Sequence, residues 1–261
     1  MIKEKIYDYF LDTEKKPEAQ EDVTFAPSYI SSCERQIYYK KTGQAVTNPI
    51  SEAAYYKMAM GTCIHDYIQK LIENIDGAKL IECENLKNIT IDGIEFNYRL
   101  DGILEINGKK YILEIKTTYG AGARYIEKDG EKPDHKQQMY MYMNFENIEN
   151  GILLYICKDS GFMIEFVYEG IKLRNGWFSE KIEQLKKLKS KIETKQIPDR
   201  QYQIRMKNVG GEISENFTKD KVKYKSDWQC SYCQWKNECW KDALNEIKNN
   251  KFYIDNEFIK E

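Results

Sequence analysis

The run RLDGILEINGKKYILEIK, residues 99–116, constrains the chain more than any other segment. Asn-Gly between two apolar-rich runs is the strongest short-range signal for a β-hairpin, closed by a two-residue turn in which both residues take positive φ. With Asn107 and Gly108 in the turn, Ile106 faces Lys109, and counting outward sets Asp101 opposite Glu114. Opposed residues share a face, with Cβ atoms about 4.5–5.5 Å apart. Lys116, two residues beyond Glu114, shares that face as well. The same register opposes Ile103 to Ile112, expected as a core pair on the other face. Two neighbouring carboxylates repel unless a cation lies between them, and oxygen donors of this kind suit Mg²⁺ or Mn²⁺. Taken by itself, a hairpin face of this kind is more often an ordinary surface salt bridge among residues such as Asp101, Glu114 and Lys116.

The rest of the chain predicts helices over 28–43 and 51–75, then strands over 79–86, 88–93, 96–106 and 109–118. A helix over 133–146 opens on a proline at a tolerated first position. Strands over 151–157 and 162–169 follow, then a helix over about 176–195 carrying Ile182, Leu185, Leu188 and Ile192 on one face. Beyond Pro198 the pattern is irregular as far as the cysteine-rich segment 227–245. This order implies a mixed α/β domain, a mixed sheet flanked by helices.

Composition sets limits on the partner. Charged residues are 31 % and aromatics 13 % of 261 residues, a globular balance. A formal charge of −2 with pI near 6.0 gives no overall basic signature. A nucleic acid would therefore have to be met by a local basic groove. The stretch LKKLKSKIETK reads as a solvated helix face. No run approaches the ~20 apolar residues of a membrane span, and the opening residues lack the apolar core of a signal peptide. A cytoplasmic protein with no membrane partner is expected. In that compartment seven cysteines favour metal ligation or free thiols over disulfides.

Cys230, Cys233 and Cys239 place three soft ligands within ten residues, and Cys33 is the candidate fourth. Four cysteinates fit zinc or an iron–sulfur cubane, and spacing does not separate them. Cys63, Cys83 and Cys157 lie in apolar runs and read as buried core residues. Trp228, Tyr232, Trp235 and Trp240 flank the ligands and fit either a shield of a cluster from water and oxygen or ordinary packing.

Asp101 followed by Glu114, Ile115 and Lys116 resembles the D…(D/E)-x-K signature of the PD-(D/E)XK nucleases. Gly61 and His65 resemble the G-x-x-x-H helix motif of its RecB-like branch, and Gln138 and Tyr142 the Q-x-x-x-Y helix motif. CERQIYYKKTG, with Cys33, Arg35, Tyr38, Tyr39 and Gly43, together with the three later cysteines, resembles the iron–sulfur subset. That subset includes the CRISPR-associated RecB-like exonucleases and AddB-type nuclease domains. The resemblance covers roughly residues 28–240, and its specificity lies in the ordered set; Gln234 stands where relatives often have proline, and His135 matches no essential position.

The resemblance implies a restriction-endonuclease-like core over 51–205 with an iron–sulfur-stapled helical lid, 26–50 plus 225–245, within one nuclease domain spanning 1–261. It assigns catalytic roles to Asp101, Glu114, Lys116, Gln138 and Tyr142. The ligands of Mg²⁺ or Mn²⁺ would be His65, Asp101, Glu114 and the Ile115 carbonyl. It favours a [4Fe–4S] cluster over zinc on Cys33, Cys230, Cys233 and Cys239. The expected activity is that of a DNA exonuclease or end-processing enzyme preferring single-stranded ends and leaving 5′-phosphates, with a helicase or integrase-type partner. CRISPR spacer acquisition, repair or recombination, and phage biology are all compatible settings. The competing readings are a non-catalytic DNA-end-binding adaptor that keeps the fold, and a zinc-stapled interaction protein.

Overall fold

The computed structural model describes residues 2–12, 19, 23–202, 204–208 and 222–241. In chain order the elements are α1 (Ile2–Asp12), β1 (Thr24–Phe25), a 3-10 turn (Pro27–Tyr29), α2 (Glu34–Lys41), α3 (Glu52–Ile72), β2 (Ala78–Glu82), β3 (Lys87–Ile91), β4 (Ile94–Tyr98), β5 (Gly102–Ile106) and β6 (Lys109–Thr118). There follow α4 (Gly120–Asp129), α5 (Pro133–Glu146), β7 (Gly151–Cys157), β8 (Met163–Tyr168), α6 (Gly176–Glu193), β9 (Ile204–Asn208), β10 (Val222–Ser226), α7 (Trp228–Ser231) and α8 (Lys236–Cys239). The architecture is mixed α/β, as expected. The chain divides into two compact units, one of residues 22–31 and 53–190, the other of 1–21, 32–52 and 191–261.

The first unit is built on a five-stranded sheet of order β2-β5-β6-β7-β8. β5 and β6 pair antiparallel with Ile106 on Lys109 and Ile103 on Ile112. Asn107 and Gly108 both have positive φ, 51° and 77°, so the turn is the mirror-image type whose twist matches its flanking strands. Asp92 and Gly93 close the β3–β4 hairpin in the same way. β6 and β7 run parallel, joined by a crossover through α4 and α5.

Two helices cover the faces of this sheet. Ile68 and Ile72 of α3 pack on Leu104, Tyr111, Leu113, Ile115, Ile152 and Ile156. On the opposite face α5 lies so close that a Cβ on Gly151 would meet the Met139 sulfur at 2.9 Å. α5 starts with proline at its first turn and ends at Asn147, which has left-handed φ of 53° and donates its N–H to the Met143 carbonyl. Leu113 is 1 % exposed at the centre of the α3 face. Leu113→Ala is expected to lower stability by about 2–5 kcal/mol, read as a shift in the urea unfolding midpoint.

Several expectations need correction. Ile103 and Ile112 do not lie on the face opposite the carboxylates: each is two residues from Asp101 or Glu114, and side chains alternate with period two. They are the buried floor beside the polar cluster. The strand expected over 96–106 is two strands, because β4 pairs with β3 and β1 in a separate three-stranded sheet. Leu100 is fully buried at the crossover between the two sheets. Apolar alternation reports burial and does not reveal a change of hydrogen-bonding partner. The helix expected over 28–43 is a 3-10 turn and a helix that begins only after Cys33. α4 and the antiparallel pair β9–β10 were not foreseen. Cys63 is exposed rather than core, on the side of α3 away from its buried residues Gly61, Ile68 and Ile72, and Cys83 is half-buried; Cys157 is buried.

Candidate active site and four-cysteine site

Asp101 is the residue just before β5, at the next register step beyond the Gly102–Leu113 pair. At that point β6 has lost its β5 neighbour, so its backbone is open on that side. The Ile115 N–H fills the gap by donating to the Asp101 Oδ2 at 2.6 Å. The N–H and C=O of one strand residue point to the same side, so the Ile115 carbonyl faces the same opening. The Asp101 Oδ1 lies 3.3 Å from the His65 Nδ1.

Glu114 and Lys116 form an ion pair at 2.5 Å, and Glu114 is only 2 % exposed. From there a hydrogen-bonded chain runs through α5. The Lys116 Nζ donates to the Gln138 Oε1 at 2.9 Å, the Gln138 Nε2 to the Tyr142 hydroxyl at 3.1 Å, and that hydroxyl to the Arg99 carbonyl at 3.1 Å. The spacing of four in α5 aligns Gln138 and Tyr142 on one helix face. A buried polar network of this kind stabilises a single arrangement only when each member has a partner.

The electrostatics follow from this burial. Desolvation pushes the Glu114 carboxyl up to about 7, although Lys116 opposes it; the nearby Asp101 adds to the rise. Burial works against the Lys116 ammonium, but Glu114 outweighs it and holds that group above the ordinary lysine value. Desolvation likewise opposes a charged His65, while Asp101 and Glu114 more than compensate and raise it. Burial, with Glu114 second, raises the Tyr142 hydroxyl, which stays a neutral donor. His135, at 3.0 Å from the Tyr155 hydroxyl, is pushed down to about 4 by burial and by the Lys116 charge.

Sequence reasoning missed Glu84. Oxygens of Glu84 and Asp101 and a nitrogen of His65 all lie within 4.8 Å of one another, the spacing of donors around one cation. Glu84 sits in the bend after β2 with left-handed φ of 53°. Its Oε2 is 2.9 Å from the Arg99 Nε, and its Oε1 accepts from the Gln69 Nε2 at 3.3 Å. Gln69 also donates to the Asp101 carbonyl at 2.7 Å, tying the two acidic residues together. The only advance signal was a carboxylate at the end of a predicted strand, which is too common to single one residue out.

In the second unit, Cys33, Cys230, Cys233 and Cys239 line one small cavity with Arg35, Tyr39 and Trp240. Cys33 caps α2, and the later three cysteines lie on and between α7 and α8. Segment 44–48 is strapped to segment 233–238: Thr47 and Asn48 N–H groups donate to the Gln234 carbonyl, and the Trp235 Nε1 donates to the Gln44 carbonyl at 2.8 Å. Arg35 donates to the Pro198 carbonyl at 2.8 Å and to the Cys239 sulfur at 3.5 Å. Burial pushes the Cys230 thiol up to about 11 and raises Cys233, with the neighbouring sulfurs adding to both. Four sulfurs so placed ionise together only around a strong positive charge, which is the donor chemistry of a metal centre. Trp235 and Trp240 are buried, whereas Tyr232 is 78 % exposed and shields nothing. The Trp228 side chain lies outside the described residues.

No family model matches the chain. Among curated proteins, the CRISPR-associated exonuclease Cas4 of Saccharolobus solfataricus is 26 % identical over 143 residues, spanning 54 % of this chain and 66 % of that protein, just under two thirds of its length. The crystal structure of SSO0001 superposes with a TM-score of 0.49 at 20 % identity, over 90 % of this chain and 94 % of the other. The alkaline exonuclease LHK-Exo from Laribacter hongkongensis gives 0.47 at 13 % identity, over 74 % and 93 %. Among the described residues, no helix is long and apolar enough to cross a membrane.

Proposed function

We propose that this chain is a metal-dependent DNA nuclease of the PD-(D/E)XK class, acting on strand ends, with a structural [4Fe–4S] centre on its four clustered cysteines. The observation that carries this reading is the open end of β5, where Asp101 accepts from the Ile115 N–H and faces His65, with Glu114 and Lys116 alongside on β6. The likeness to a protein named as a CRISPR-associated exonuclease supports the choice of reaction.

In this reading His65, Asp101, Glu114 and the Ile115 carbonyl hold Mg²⁺ or Mn²⁺, with Glu84 as a further ligand. When bound, the cation neutralises charge at the scissile phosphate and makes a nearby water a stronger acid. The Lys116 ammonium stays charged at neutral pH and is held by Glu114 and Gln138. It orients the attacking water or stabilises negative charge developing on the phosphoryl oxygens. Gln138 and Tyr142 position Lys116 from below, and Gln69 positions both Asp101 and Glu84. A preference for single-stranded ends completes the proposal.

The test is degradation of end-labelled single- and double-stranded DNA in Mn²⁺ or Mg²⁺, compared with chelator. Activity that requires the cation supports the reading. Tight DNA-end binding with no cleavage in any divalent metal would replace it with the adaptor reading. For Glu84, Glu84→Gln is expected to raise the Mn²⁺ concentration giving half-maximal cleavage by about tenfold, the usual cost of weakening one ligand or its support. An unchanged Mn²⁺ requirement would remove Glu84 from the site.

A further inference from the structure

We propose that Lys57, Tyr119 and Lys158 form a docking site for a single DNA strand on its way to the His65–Asp101 centre. Two ammonium groups converge on one aromatic ring, with the Lys57 Nζ 5.8 Å and the Lys158 Nζ 5.4 Å from the Tyr119 centroid. The Lys158 Nζ also donates to the Lys57 carbonyl at 2.8 Å, which brings the second cation onto the residue that bears the first. Among the described residues neither lysine has an ion-pair partner, while Tyr119 remains 42 % exposed. Burial, and then the charge of Lys57, hold Lys158 below the ordinary lysine value. Two cations on one ring repel in the free protein, where the Asp159 carboxylate is engaged instead by the Gly120 N–H at 3.1 Å, and the repulsion is relieved when a phosphate joins them.

The position of the patch ties it to the candidate site. Tyr119 directly follows β6, and Lys158 directly follows the parallel strand β7, its N–H donating to the Thr118 carbonyl at 2.9 Å. Ligands of sheets with parallel strands gather at such carboxyl ends. Two elements lead there from the carboxylates. Along β6, Tyr119 is three residues beyond Lys116, about 10 Å along the strand, although the Lys116 side chain itself turns to the opposite, α5 face. Along α3, Lys57, Gly61 and His65 follow at steps of four, so they share one face and span about 12 Å. This face lies close against β6 at Gly61, where a Cβ would meet the Thr117 Oγ1 at 3.3 Å.

The chemistry selects the ligand. Phosphates supply the negative charge, and a base stacked on Tyr119 supplies the apolar contact, the combination by which single strands are bound without sequence preference. In a duplex the base faces are stacked on one another and unavailable to the ring. The inference rests on the nuclease reading for the direction of the strand, but it is tested by binding alone.

The experiment is fluorescence anisotropy of a labelled deoxythymidine oligonucleotide of about 15 nucleotides, within the usual range of single-strand sites, titrated in chelator at several salt concentrations. The protein is the full chain, as wild type, Lys57→Ala/Lys158→Ala, Lys57→Arg/Lys158→Arg and Tyr119→Ala. The double alanine variant is expected to bind about tenfold more weakly and to flatten the salt dependence by about 1.4 log units per log unit, two phosphate contacts' worth on a single strand. The double arginine variant should retain wild-type affinity, and Tyr119→Ala should weaken binding without changing the slope. Unaltered melting temperatures separate these effects from misfolding; a variant that melts early is read through its arginine counterpart. Wild-type affinity and slope in the double alanine variant overturn the proposal while leaving the nuclease reading intact if the wild type cleaves. Tighter binding of duplex than of single strand also overturns it. Wild type that binds through this patch but never cleaves would instead overturn the nuclease reading alone.

Discussion

Asp101→Asn is expected to reduce divalent-metal-dependent DNA cleavage by about a thousandfold or more, the scale on which removing a principal electrostatic or acid–base group acts. The substitution keeps an oxygen able to accept from the Ile115 N–H, so the end of β5 retains its hydrogen bond while the charge opposite His65 is lost. Its melting temperature should therefore stay close to wild type. Lys116→Ala is expected to lose cleavage to the same extent, but for a second reason it should also unfold more easily. It leaves Glu114, 2 % exposed, without its cation; that carboxyl, already pushed up by burial, must then take a proton or remain an unpaired buried charge, and either costs stability. Adding Glu114→Gln to Lys116→Ala should recover stability and no activity. Initial rates on end-labelled DNA, read beside thermal melts, check both statements. Cleavage within tenfold of wild type in Asp101→Asn would remove the proposed site from consideration.

The second large effect concerns the cysteines. Anaerobically purified protein is expected to be brown, with broad absorbance near ~400 nm of the kind cysteinate-bound iron gives. Cys33→Ala and Cys233→Ala should each abolish it. The same variants should melt at least about 6–12 °C lower, because losing on the order of 3 kcal/mol in a chain of this size shifts the midpoint by that much, and a structural metal contributes more than this. The hydrogen bonds between segments 44–48 and 233–238 remain in such variants, so a residual fold is expected rather than complete collapse. Cys63→Ala, on an exposed position, serves as the control and should change neither colour nor melting. Colourless protein carrying stoichiometric zinc would replace the cluster with zinc. Metal-free protein with unchanged melting in the Cys33 and Cys233 variants would end the staple proposal altogether.

The hairpin register needed nothing beyond the sequence. Asn107-Gly108 fixes the turn, the turn fixes the pairing, and the pairing sets Asp101 at the register step opposite Glu114. The α5 face was equally legible, because a spacing of four on a helix that starts at a proline leaves little freedom for Gln138 and Tyr142. These are local rules, each decided by a few neighbouring residues. The limits arose where distant segments meet. That Ile103 and Ile112 share the face of the carboxylates follows from alternation, but that this face is covered by α5 depends on the crossover from β6 to β7. That the apolar run through Leu100 changes sheets depends on which strands compete for its edges. Glu84 reaches Asp101 and His65 only because the bend after β2 brings it there, held by Arg99 and Gln69. Lys57 and Lys158 are 101 positions apart and meet over Tyr119 only once α3 has packed on the sheet. Backbone geometry and side-chain period act over a few residues, so the chain alone sets the β5–β6 register and the Gln138–Tyr142 spacing, whereas α4, the β9–β10 pair and the change of sheet at Leu100 escape it. Which further charges join Asp101, Glu114 and Lys116 depends on the packing of elements remote in the chain, as Glu84 and the Lys57–Lys158 pair show.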